Sequence, residues 1–434
     1  MRHVDGDAET VTSGGTTSAG GTASPRGTAS VGLGLILVSL AGTLLVGAVQ
    51  KAPCTTADWS DGRQYRLACY TDIVPLFGTE QLAGGRLPFL DACAPADTNC
   101  DEYPVVTMYV MRLAGWISGD DPGRFFWVNA LFLVVGAAVT AVALALLDPR
   151  RALWFALAPS LALESFVNWD LVAVALAAAG TLAFLRRGDR AAGVLLGLGA
   201  AAKLFPALFL VPFAAERLRE RHPDRAITLW WWAAGAWLVV NAPFAIAAPA
   251  GWWEFFRFNG ARPVDWDSLW SIACRVSTGD AGAGGGLCFP TAAVNALSLV
   301  ATGVVVWAVW WAKRRREPDF PRWQLAFPLL IAFLVLGKVY SPQFSLWLLP
   351  WFALVERDLR RFVAFEVADV AVFLTRLWFF GDLTGVGGTP RWLFEAAVVV
   401  RAAVLVLVVV AWVRGPSRGL ARGRAPAAAG AAAR

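Results

Sequence analysis

Four stretches of this chain, 31–49, 125–147, 227–250 and 291–312, contain no aspartate, glutamate, lysine or arginine. Each is long enough to cross a bilayer as a helix, which takes about 20 apolar residues. Composition agrees. The 434 residues are 57% hydrophobic and 16% charged, whereas a soluble chain is about a quarter charged. The fold class this implies is an all-α polytopic membrane protein. The first 30 residues are rich in Gly, Ser and Thr, and the apolar run behind them is span-length. A cleaved signal peptide is therefore not expected.

The net charge is +6, but its distribution excludes a nucleic-acid surface. The arginines fall in short blocks between apolar runs: "DPRR" at 148–151, "RRGDR" at 186–190, "ERLRERHPDR" at 216–225, "KRRRE" at 313–317 and "ERDLRR" at 356–361. Such blocks mark cytoplasmic turns. Placing all of them inside threads the chain through about 12 membrane segments. Long spans are expected at 31–49, 125–147, 227–247, 291–312, 362–380 and 392–413. Short hairpins are expected at 152–163 with 169–185, on either side of "AKLFP" (202–206), and at 323–337 with 343–355. Proline 206 removes a helix donor, so two half-length helices are expected to meet there, with one steeply tilted span as the alternative. The transmembrane domain spans 31–413, with outer loops at 51–124 and 249–290. Segments 1–30 and 414–434 read as disordered cytoplasmic ends. Residues 104–118 are apolar but short and read as an interfacial helix with Trp116 at headgroup level.

This threading puts Cys54, Cys69, Cys93, Cys100, Cys274 and Cys288 outside, and His3 and His222 inside. An even number of cysteines on one oxidising side reads as disulfides. Neighbour pairs 54–69, 93–100 and 274–288 are one of the connectivities six cysteines allow. No CxxC pair is present to suggest zinc, and no metal ligand set is assigned.

Polar groups at the edge of a bundle are costly and mark function by default. The chain has four lysines. Two of them, Lys203 and Lys338, sit beside proline-broken outer turns. At that level the threading also places Asp72, Glu102, Glu164, Asn168, Asp170, Tyr340 and Gln343, and "FNGARPVDWDSLW" (258–270) adds Arg262, Asp265 and Asp267. A carboxylate in such a cavity can act as general base, and lysine and arginine can hold a phosphate. Blander roles compete. Asp72 could cap a helix, Asn168 and Asp170 could cap the returning one, and both lysines could snorkel to headgroups. Within the last two spans, Asp369 is expected to pair with Arg401, and Arg376 with Glu395.

The order of "EYP" (102–104), "NWDL" (168–171), "GLGAAAKLFP" (197–206) and "KVYSPQFSLWLLPW" (338–351) after one span and a large outer loop resembles the C-type membrane glycosyltransferases. It is most similar to glycosyltransferase family 87, the bacterial polyprenyl-phosphate-mannose-dependent α-mannosyltransferases. The resemblance implies a lipid-linked sugar phosphate as donor, with no cofactor, and inverting transfer to a glycolipid or glycan acceptor on the outer face of the plasma membrane. It implies Asp72 as the residue that activates the acceptor hydroxyl. Glu102, Asp267 and Ser268 fall at recurrent positions. Some relatives use an outer-loop histidine, and this chain has none there. The rival class is a lipid or small-molecule transporter, which broken helices also fit.

Overall fold

The computed structural model describes residues 25–56, 58–94, 100–278 and 288–419. The expected disordered ends lie outside these residues for 1–24 and 420–434. Among the described residues there is no strand. In chain order the helices are α1 (Pro25–Lys51), α2 (Arg63–Arg66), α3 (Ile73–Thr79), α4 (Val105–Ser118), α5 (Pro122–Ala145), α6 (Pro149–Ala156), α7 (Pro159–Glu164), α8 (Asp170–Leu185) and α9 (Asp189–Ala202). They continue as α10 (Leu210–Arg219), α11 (Pro223–Ala247), α12 (Pro249–Ala261), α13 (Leu269–Thr278), α14 (Thr291–Arg316), α15 (Ala326–Leu336), α16 (Leu349–Val355), α17 (Leu359–Leu383) and α18 (Arg391–Arg414). Helices α1, α5, α11, α14 and α18 are long and apolar enough to cross a membrane. The chain is a multi-pass membrane protein.

The short helices form hairpins. Helix α9 rises about 21 Å, less than the roughly 30 Å hydrocarbon core. At Lys203 the backbone is extended, and a 3₁₀ turn over Phe205–Phe209 carries it into α10. The return is fixed by charge: Arg217 Nε lies 2.7 Å from Asp189 Oδ1, so α10 ends where α9 began. The basic turns gather at this one end. Arg151 Nη1 donates to Glu356 O at 2.7 Å, Arg357 Nη1 to Pro416 O at 3.1 Å, and Arg418 pairs with Asp148. Two expectations for the chain ends need correcting. Residues 415–419 are not loose, because Arg418, Ser417 and the Gly415 carbonyl all bond back onto the bundle. The first helix also begins at Pro25, ahead of the uncharged run.

The opposite, loop end carries three disulfides, Cys54–Cys69, Cys93–Cys100 and Cys274–Cys288, the neighbour pairing. Helix α4 buries Met108, Met111 and Ala114 and leaves Trp116 exposed. It is tied to the α9 terminus by Thr107 Oγ1, which donates to Ala202 O at 2.7 Å.

Lipid tails are as apolar as leucine, so helices in a bilayer associate through close packing of small residues. The "GVLLG" run 193–197 provides that seam. A Cβ on Gly193 would collide with the Leu229 carbonyl of α11, and one on Gly197 with the Ala233 carbonyl. Aromatic rings close the gaps elsewhere, with Phe184 stacked on Phe213 at 4.2 Å and Phe205 on Trp347 at 4.2 Å. Gly197→Val should therefore lower stability by about 1–3 kcal/mol, read as a lower Tm of the detergent-purified protein.

Candidate active site

The site is built around a strap, residues 69–72, laid over the α7–α8 turn. Asp72 N–H donates to Val167 O at 2.8 Å, and Thr71 Oγ1 donates to Phe166 O at 2.7 Å. From below, Lys51 Nζ donates to Tyr70 O at 2.8 Å. The Cys54–Cys69 bond ties the strap to the end of α1. Asp72 precedes α3, but its side chain makes no capping bond. Instead each oxygen takes a side-chain donor: Tyr70 Oη at 2.8 Å on Oδ1 and Asn168 Nδ2 at 2.7 Å on Oδ2. Two donors fix the carboxylate plane and leave the remaining lone pairs toward a cavity of about 740 Å³.

The cavity has a polar floor and an apolar flank. Asp72, Glu102, Asn168, Lys203, Arg262, Lys338 and Gln343 line it, as do Tyr70, Tyr103 and Arg376. Leu204, Leu299, Thr302 and Phe333 form the flank between the α9–α10 turn, α14 and α15.

Most of its cations are already neutralised. Lys203 Nζ lies 2.6 Å from Asp170 Oδ1, which also accepts from Trp347 Nε1 at 2.6 Å. Arg262 Nη2 lies 2.7 Å from Asp265 Oδ2. Arg376 Nε lies 3.1 Å from Asp267 Oδ2. Lys338 differs. Its Nζ meets only carbonyls, Asn259 O at 2.8 Å and Gly260 O at 3.2 Å, at the α12 C-terminus. Among the described cavity-lining cations it is the one without a carboxylate partner. Burial, with Arg262 nearby, brings its ammonium down to about 8.

Glu102 is presented by a second buried carboxylate. Glu80 accepts the backbone N–H groups of Asp101 at 2.5 Å and Glu102 at 3.2 Å. Arg86 clamps Asp101 at 2.6 Å beside the Cys93–Cys100 bond. Burial raises Glu102 to about 7 against the pull of Arg262, and burial plus Glu102 raises Glu80 to about 8.

The structure revises several sequence expectations. Asn168 and Asp170 do not cap α8, since no side-chain cap bond is made there. Asn168 braces Asp72 and Asp170 neutralises Lys203. Asp170 and Asp267 sit behind the cavity wall, each holding a cation that lines it. Tyr340 is turned away: its ring lies under Arg401 at 3.6 Å and its hydroxyl meets Ser345 Oγ at 3.2 Å. Glu164 is fully buried beneath the site. Arg401 pairs with Asp369 at 3.0 Å as expected. Arg376 does not pair with Glu395, which takes Arg275 and Arg391 instead. Matching depth along two spans fixes height but not azimuth, and the α17 face carrying Arg376 looks toward the 265–267 loop. Tyr70 and Tyr103 join the site without a sequence expectation, and Arg376, expected only as the partner of Glu395, also lines it. Tyr103 lies inside "EYP" and Tyr70 two residues before Asp72, whereas no local signal marks Arg376 as facing the cavity.

Residues 102–342, more than half of the chain, match the model of glycosyltransferase family 87. The chain belongs to glycosyltransferase family 87. The family match takes in Glu102, Asn168, Asp170, Lys203, Arg262, Asp267, Lys338 and Tyr340 but begins after Asp72. Two solved structures are similar in fold: ArnT from Cupriavidus metallidurans bound to undecaprenyl phosphate (16% identity, TM-score 0.45) and the same protein in the apo state (15%, 0.44). Each match covers 88% of this chain and 77% of the other. No curated protein matches the chain.

Asp267 is 1% exposed, so removing its counter-charge leaves a buried carboxylate alone. Arg376→Gln should cost about 3 kcal/mol, and Arg376→Gln with Asp267→Asn should recover most of it in a thermal double-mutant cycle.

Proposed function

We propose that this family 87 glycosyltransferase moves a sugar, mannose, from a polyprenyl-phosphate donor to a lipid or glycan acceptor. The loop end then faces outward from a bacterial plasma membrane, with the basic turns and both termini in the cytoplasm. Family membership supplies glycosyl transfer. The observation that carries the donor class is a cavity holding an oriented carboxylate, Asp72, an un-neutralised cation, Lys338, and an apolar flank. A phosphate fits the cation and a polyprenyl chain fits the flank between α14 and α15.

In this reading Asp72 takes the proton of the acceptor hydroxyl. The freed oxygen attacks the anomeric carbon on the face opposite the phosphate. The bond from that carbon to the phosphate oxygen breaks, and its electron pair leaves with the phosphate, so the configuration inverts. Phosphate departs without an acid, and the charge it gains is met by Lys338, with the Lys203–Asp170 and Arg262–Asp265 pairs bordering it. No cofactor is invoked.

Transfer from polyprenyl-phosphate-mannose by purified protein tests the whole reading. Asp72→Asn should lower turnover by about 100- to 10,000-fold at unchanged expression, and near-normal turnover would remove Asp72 from the role of base. Donor affinity should depend on pH with a definite sign. Lys338 loses its proton as pH rises through about 8, and Glu102 becomes charged above about 7. Both changes make the cavity more negative, so the donor KM should rise about tenfold from pH 7 to 9. Lys338→Met should already show a high KM at pH 7.

A further inference from the structure

The transfer reading leaves two fully buried lysines unused, of which Lys313 pairs with Glu317. Lys51 closes α1 and is fully buried. A lysine at the end of a spanning helix ordinarily extends its ammonium to water, but this one turns inward beneath the strap. Its Nζ donates to the Tyr70 carbonyl at 2.8 Å and lies 4.9 Å from the centre of the Phe373 ring. Tyr70 is thereby held at both ends, its carbonyl by Lys51 and its hydroxyl against Asp72 Oδ1 at 2.8 Å. The adjacent Cys69 is bonded to Cys54, three residues beyond Lys51. The end of α1 therefore sets where the Asp72 carboxylate sits.

Charge points the same way. Lys51 interacts with Glu164 and then Asp72, and no carboxylate of the described residues pairs with it directly. Glu164 meets the Asp369 side chain. Asp72 is faced by Tyr70 on its own strap, by Glu102 and Tyr103 of the first loop, by Asp170 of α8, by Arg376 of α17, and by Lys51 of α1. Arg376 is compensated by Asp267, and the Lys203 ammonium by Asp170. Among the described cations around Asp72, Lys51 is thus the one held by a carbonyl and not by a carboxylate.

We infer that Lys51 is a positioning residue for the transfer reaction, holding the strap that carries Asp72. This rests on Asp72 being the base. The test measures kcat and donor KM for full-length wild type, Lys51→Met, Lys51→Arg and Asp72→Asn. Lys51→Met should lower kcat about tenfold or more with donor KM little changed. Lys51→Arg, which keeps a donor for the Tyr70 carbonyl, should restore most of kcat. An unchanged kcat in Lys51→Met, or a kcat equally lowered in Lys51→Arg, overturns the inference. Should Lys51→Met fail to fold, Lys51→Met with Glu164→Gln replaces both buried groups and is held to the same loss of kcat. The two readings fail separately. A fully active Asp72→Asn removes the base, whereas an inactive Asp72→Asn beside a fully active Lys51→Met removes only the role of Lys51.

Discussion

A charge inside a bilayer must be paired or led to water, and this requirement orders the molecule from end to end. Arginines settle the turns at one end by pairing across hairpins, as Arg217 and Arg225 do on Asp189. Within the helices, Glu366 takes the backbone and hydroxyl of Ser160, and Asp369 takes Arg401 and Ser345. These contacts join α17 to α7, α18 and the turn before α16. The cavity at the loop end rests on that frame, and its two walls inherit their geometry from it.

Most of the architecture was legible in the sequence because two signals repeat many times. Uncharged runs mark spans, and arginine blocks mark the side to which each hairpin returns, so even the half-length α9 and α10 follow from counting. The strap residue Asp72 and the lysines at broken turns were legible because a polar group is rare at those positions. Partner choice was not. Lys338 looks equivalent to Lys203 in sequence, yet one rests on helix-terminal carbonyls and the other on a carboxylate. Arg376, Glu395 and Tyr340 went astray for a related reason: residue spacing fixes depth along a helix but not the direction the side chain takes across the bundle. Glu80 was invisible because its partners are backbone N–H groups, which carry no residue signature.

The loop end joins two kinds of rigidity. The strap is fixed by covalent and hydrogen bonds to α1 and the α7–α8 turn. The opposite wall is made of helix ends: Asn259 and Gly260 of α12 meet Lys338, and Asn295 of α14 donates to Gly260 O at 2.9 Å. A carboxylate held by the first and an ammonium held by the second keep their separation without touching each other, as a reaction needing both on opposite sides of one bond requires.

The matched charges around the cavity also bear on selectivity. A membrane presents a vast excess of phospholipid phosphates to any pocket that opens sideways into it. A cluster of bare cations would fill with these headgroups and stay filled. Here Asp170, Asp265 and Asp267 each cancel a neighbouring cation, and the remaining ammonium is already satisfied by carbonyls. So lined, the pocket offers few bare cations to bulk headgroups. On the donor reading proposed above, an occupant gains its binding from the sugar and the chain as well as from the phosphate, and the carboxylates behind the wall filter out the lipid that surrounds the protein.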